Sequence, residues 1–230
     1  MPVSLTELLL KHRTRFLPVV SFNPASDILL PMDFTAANQE LTDSILNDTT
    51  AFCQWVTNKL EAAGARYGIG GYNEHRTVYR MSRVFDGTGD LEPRRLHLGI
   101  DIWGAAGTPV YAPLEGTVHS FADNNRAGDY GATILVEHEL EGTRFCTLYG
   151  HLNRASLNGM EKGKAIAAGQ QIALFGIPDE NGHWPPHLHF QVISNPGNWQ
   201  GDYPGVCRFS EREQYLANCP DPDIILQMIQ

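Results

Sequence analysis

The run Pro185-Pro186-His187-Leu188-His189-Phe190-Gln191-Val192-Ile193 has the apolar and β-branched character of a strand. Strand side chains alternate, so His187 and His189 share one face and Leu188, Phe190 and Val192 share the other. Two imidazoles side by side on a rigid strand suit a metal site. What completes that site must come from elsewhere in the chain.

The best source is Leu96-His97-Leu98-Gly99-Ile100-Asp101-Ile102, where His97 and Asp101 flank a glycine that lets the backbone bend and both side chains converge. A further histidine, His151, ends a strand-like run in Leu148-Tyr149-Gly150-His151-Leu152. A catalytic zinc site has three protein ligands and one open position. Two neutral imidazoles and one carboxylate give such a site a net charge of about +1, enough to acidify water and polarise a carbonyl. Histidines off the metal are then available for proton transfer and charge stabilisation.

Around these segments the chain reads as short strands between turn signals. Residues 118–122, 132–139, 144–149, 171–176 and 187–194 are expected as strands, with Glu141-Gly142 as a hairpin turn. No β-α-β alternation is legible, so the fold class is α+β with a mainly antiparallel sheet. Residues 1–93 read as a mostly helical extension. It holds a capping box at Ser4-Leu5-Thr6-Glu7, a helix over 36–47 and another after Asp48 carrying Phe52, Trp55, Val56, Leu60 and Ala63 on one face. That face is expected to pack against the main domain. Residues 94–195 form the β domain, and 196–230 a C-terminal extension with a short helix capped by Ser210-Glu211-Arg212-Glu213, packed on it.

The ordered motifs resemble the lysostaphin-type, LytM-like zinc endopeptidases: His97-x-x-x-Asp101, then Tyr149-Gly150-His151, then His187-x-His189. The flanks match as well, in Gly107-Thr108-Pro109-Val110, Ala112-Pro113, Gly116-Thr117-Val118 and Gly169-Gln170. The resemblance covers about residues 94–194. It implies a β-sheet groove with one Zn²⁺ per chain held by His97, Asp101 and His189, and His151 and His187 as catalytic histidines. The implied activity is hydrolysis of peptide bonds in peptidoglycan cross-bridges or peptides derived from them. A non-catalytic binding module of the same fold is the alternative, and an iron oxygenase is disfavoured by the four-residue spacing of His97 and Asp101. Tyr149, Trp184 and His183 are expected along the substrate groove. Asn73, Glu74 and His75 form a polar segment that could fold back over the metal and occlude it. Gln191 stands where a glutamate is common in the family and is expected to touch no ligand.

A net charge of −9 argues against nucleic acid or an anionic membrane as partner. Cys53, Cys146, Cys207 and Cys219 make no metal-binding spacing and are expected as free thiols. The first residues lack the positively charged start of a secretory signal, and no run is long enough to span a bilayer, so the cytoplasm is the expected location.

Overall fold

The computed structural model describes residues 3–86 and 91–229. Helix α1 (Leu5–Lys11) is followed by β1 (Leu29–Met32), α2 (Asp43–Leu46), α3 (Thr49–Ala63) and β2 (Tyr67–Gly70). Then come β3 (Leu96–His97), β4 (Ile100–Trp103), β5 (Pro109–Tyr111), β6 (Gly116–Asn124), β7 (Gly131–Leu140) and β8 (Thr143–Leu152). β9 (Ala165–Ile166), β10 (Gln171–Leu174), β11 (His187–Ile193), β12 (Val206–Cys207), α4 (Arg212–Asn218) and α5 (Asp223–Leu226) complete the described chain. No described helix is long and apolar enough to cross a membrane.

Eight strands form one sheet in the order β1-β2-β4-β11-β8-β7-β6-β9. Every pairing in it is antiparallel except β1 with β2. The period-two pattern explains how β11 is used. Leu188, Phe190 and Val192 enter the main core with Ile100, Ile102, Ile134, Val136 and Tyr149, which leaves His187, His189 and Gln191 on the opposite face. All seven residues of β11 are buried, so both faces are covered.

The expected strands all form, and the β7–β8 hairpin turns at Glu141 and Gly142 with φ of 51° and 80°. α1 is closed by the expected box, in which Glu7 N–H donates to Ser4 Oγ and Ser4 N–H to Glu7. α3 starts where Asp48 accepts from Thr50 and Ala51 and stops at Gly64 in the left-handed region. Its Phe52 and Val56 pack with Phe34, Trp103 and Trp184.

Three expectations change. The helix over 36–47 shrinks to α2, because Asp33, Thr35 and Asn38 side chains capture nearby N–H groups at 2.8, 3.1 and 3.0 Å and hold turns instead. The C-terminal helix begins at Arg212 rather than at a Ser210 cap, since Ser210 N–H donates to Glu92. The extension is also more than helical: β1, α3 and β2 form a parallel β-α-β unit that joins the main sheet. Pro31 sits in β1, an edge strand, where its missing N–H is tolerated. Beyond β2, residues 71–76 lie beside the chain leading into β4. Asn73 N–H donates to the His97 carbonyl, His97 N–H to Glu74 and Arg76 N–H to Arg95, at 2.8–2.9 Å.

Candidate active site

His189 on β11 lies directly across from Asp101 on β4. His97, at the end of β3, enters from the chain just before β4. Gly99 is needed here, because a Cβ on it would come within 2.6 Å of the His189 ring. The three side chains form a buried group that could hold a metal ion. His97 Nε2, His189 Nδ1 and Asp101 Oδ1 make a triangle with edges of 3.0, 3.1 and 3.3 Å. Ligands at zinc-like bond lengths in a tetrahedral shell stand about 3.3 Å apart, so the donor set fits one small cation.

The far side of each imidazole is tied down. His97 Nδ1–H donates to the Gly71 carbonyl at 2.9 Å. His189 Nε2–H donates to Gln191 Oε1 at 2.9 Å, with Tyr130 Oη at 3.3 Å. These bonds fix the tautomers in which the ring nitrogens facing the triangle carry lone pairs, as a metal ion would require. Gln191, expected to touch no ligand, is thus the orienting partner of His189; side chains two apart on a strand share a face. Burial, reinforced by the nearby Arg76 charge, pushes His97 down to about 4, which keeps the imidazole neutral. Burial opposes ionisation of Asp101, but His97 and Arg76 hold its carboxyl well below the usual range.

His187 and His151 stand beside this triangle with ring centroids 4.1 Å apart. His187 Nδ1–H donates to the Pro185 carbonyl at 2.7 Å, and its ring stacks on Trp103 at 3.9 Å. Its Nε2 is 4.0 Å from Asp101 Oδ1. His151 Nδ1–H donates to the Asn181 carbonyl at 2.8 Å. Each neutral ring therefore keeps an Nε2 lone pair for chemistry. Burial pushes His187 down to about 4 and His151 well below its ordinary value.

Simple alternation from Tyr149 would send His151 into the core. A β-bulge prevents this. The β7–β8 register jumps from Ile134↔Tyr149 to Ala132↔Leu152, so Gly150 and His151 together oppose Thr133. His151 has φ of 61°, in the left-handed region that non-glycine residues rarely adopt. The bulge and this twist turn its ring back toward the candidate metal ligands.

A cavity of about 410 Å³ lies over the group, with Asp101, His151, His187 and His189 in its lining. Trp184 is in its wall, against Tyr79 and Phe85 from the preceding segment. Tyr149 and His183 are corrections. Tyr149 is buried on the Phe190 side of the sheet, its Oη 3.0 Å from Thr147 Oγ1. His183 is exposed and borders a separate pocket with Leu46 and Ser82. Tyr149→Phe is accordingly expected to leave kcat and KM within about twofold, at a stability cost of about 1 kcal/mol for the lost hydrogen bond. A tenfold loss of kcat would return Tyr149 to the chemistry.

The suspected occluding segment also behaves differently. Asn73 Oδ1 accepts from Arg212 at 2.9 Å, and the exposed His75 faces Phe209. Glu74 pairs with Arg76. None of the three lines the cavity; pairing with residues 95–97 holds them beside His97 instead. The residue from this segment that does reach the site is Arg76, whose Nη1 donates to Asp101 Oδ2. Neither Arg76 nor Tyr130 carries a spacing signal, since each arrives through a loop.

Residues 95–200 match the model described as Peptidase family M23. Among curated proteins, the L-Ala--D-Glu endopeptidase of Bacillus subtilis is 30% identical over 149 residues, covering 61% of this chain and 41% of that protein. The peptidoglycan DD-endopeptidase ShyA of Vibrio cholerae is 28% identical, covering 60% and 32%. The chain spans about a third of the length of the first curated relatives it matches. Among solved structures, the catalytic domain of lysostaphin from Staphylococcus simulans aligns with a TM-score of 0.43 at 23% identity, over 76% of this chain and 97% of that one. Over residues 95–200, the chain carries a domain of peptidase family M23.

Proposed function

We propose that this protein is a zinc-dependent metalloendopeptidase that hydrolyses peptide bonds in peptidoglycan cross-bridges or in peptides derived from them. One observation carries the reading. Three buried donor atoms converge at 3.0–3.3 Å with their opposite ring N–H groups satisfied, beside two more imidazoles with free Nε2 lone pairs. His97, Asp101 and His189 would hold the ion, which when bound lowers the pKa of water toward about 7 and polarises a carbonyl. The rest falls to the chain. His151 and His187, neutral and fixed at Nδ1 by backbone carbonyls, each keep an Nε2 lone pair. One takes a proton from the attacking water and, as the imidazolium so formed, passes it to the leaving amine; the other donates to the developing oxyanion only in its protonated form. Trp184, Tyr79 and Phe85 give the cavity an aromatic wall that would keep water off one side of a bound peptide. The substrate class follows the peptidoglycan endopeptidases among the relatives.

The test is metal content together with digestion of a panel of peptidoglycan and muropeptides. The expected result is one zinc per chain and new amino termini in the digest. Zinc-loaded protein that leaves every member intact would overturn the enzymatic reading and leave a binding module.

A further inference from the structure

We propose that Arg76 is a positioning residue of the metal centre, and that residues 71–76, outside the family-matched 95–200, complete that centre. The inference rests on the zinc site proposed above and adds what holds it in shape. Two of the three candidate ligands take their orienting partner from this segment. His97 Nδ1–H donates to the Gly71 carbonyl, and Arg76 Nη1 donates to Asp101 Oδ2. With Oδ2 occupied, only Oδ1 of Asp101 faces His97 and His189, at 3.3 and 3.1 Å. The guanidinium thereby makes Asp101 a one-oxygen ligand and sets its angle.

The surroundings of Arg76 argue against a mere anchor. The residue is 1% exposed, and its Nη2 has no hydrogen-bond partner among the described residues. Burying a guanidinium with a nitrogen unpaired is costly, and an apolar side chain would tie the segment down without that cost. Its Nε donates to Glu74 Oε2 at 2.6 Å. Zn²⁺ with Asp101 leaves a net +1. Arg76 alone would raise this to +2 and weaken cation binding; Glu74 cancels it. Room for the group is built into β2, since a Cβ on Gly70 would sit 2.7 Å from Nη2. Glycine at 70, carboxylate at 74 and arginine at 76 therefore act as one unit aimed at Asp101.

The experiment measures zinc affinity of the full chain by chelator competition, with thermal unfolding to confirm that each variant is folded. Arg76→Met is expected to weaken zinc binding about 10–100-fold, the usual effect of losing a partner behind a metal ligand. Arg76→Lys, which keeps a donor for Oδ2, is expected to recover part of it. Gly70→Ala keeps every charge but pushes the guanidinium off Asp101, and should weaken binding in the same direction; it serves if Arg76→Met does not fold. Zinc affinity within threefold of the unaltered chain in either folded variant, or tighter, would overturn the proposal. Affinity is read without turnover. An unaltered chain that binds zinc but cleaves nothing refutes only the enzymatic reading, whereas active Arg76→Met with unchanged affinity refutes only this one.

Discussion

His187→Ala is expected to bind zinc as tightly as the unaltered chain while kcat falls about 10²–10⁴-fold, the usual contribution of a positioned acid or base. The geometry separates the two functions. His187 Nε2 is 4.0 Å from the nearer oxygen of Asp101, outside the triangle of donors at 3.0–3.3 Å. Its orientation comes from the Pro185 carbonyl and from stacking on the Trp103 ring, not from a hydrogen bond to a candidate ligand. Deleting the ring should therefore remove a proton carrier and leave the candidate ligands in place. His97→Ala is the contrast, because it removes a corner of the triangle and should lose metal and turnover together. Zinc titration and kcat on one peptide, measured for both variants, check the assignment. Full turnover in His187→Ala would reassign the acid–base role.

Asp101→Ala is expected to do more damage than the loss of one ligand. It abolishes tight zinc binding and also strands Arg76, buried beside the carboxylate it has lost. Breaking a buried ion pair from one side costs about 3–5 kcal/mol, and the lower end applies here because Glu74 stays at 2.6 Å from Nε. Adding Arg76→Met to Asp101→Ala should return much of that stability and none of the zinc affinity. Denaturant unfolding of the metal-free single and double variants, paired with chelator competition, reads the two effects separately. If Asp101→Ala unfolds at the same denaturant concentration as the unaltered chain, Arg76 does not depend on Asp101 for its burial.

The convergence of His97, Asp101 and His189 was legible because it rests on short-range rules. Alternation places His187 and His189 together, and a glycine between His97 and Asp101 lets both turn inward. The strands of the β domain were legible for the same reason: each carries its own period and its own turns. What escaped depends on contacts between distant segments. Tyr149 looked like a groove residue because it neighbours His151, yet the bulge at Gly150 and His151 puts the two on opposite faces. β2 reads as Tyr67-Gly68-Ile69-Gly70, a glycine-rich break, and becomes a strand through pairing with β1 and β4. Arg76 gives no local sign of its burial. Its partners are a carboxylate two residues away and another twenty-five residues on, and only the fold makes both face it.

β2 pairs with β4 at Gly70↔Asp101, so the strand that carries the candidate carboxylate ligand is not on the sheet's rim. Rim strands fray on fast local timescales, whereas interior strands lose their hydrogen bonds only in larger, rarer openings. A ligand on the rim would release its ion at each fraying event. Here the carboxylate would move out of place only when β4 parts from β2 and β11, which would tie the residence time of a bound ion to slow amide exchange across those strands.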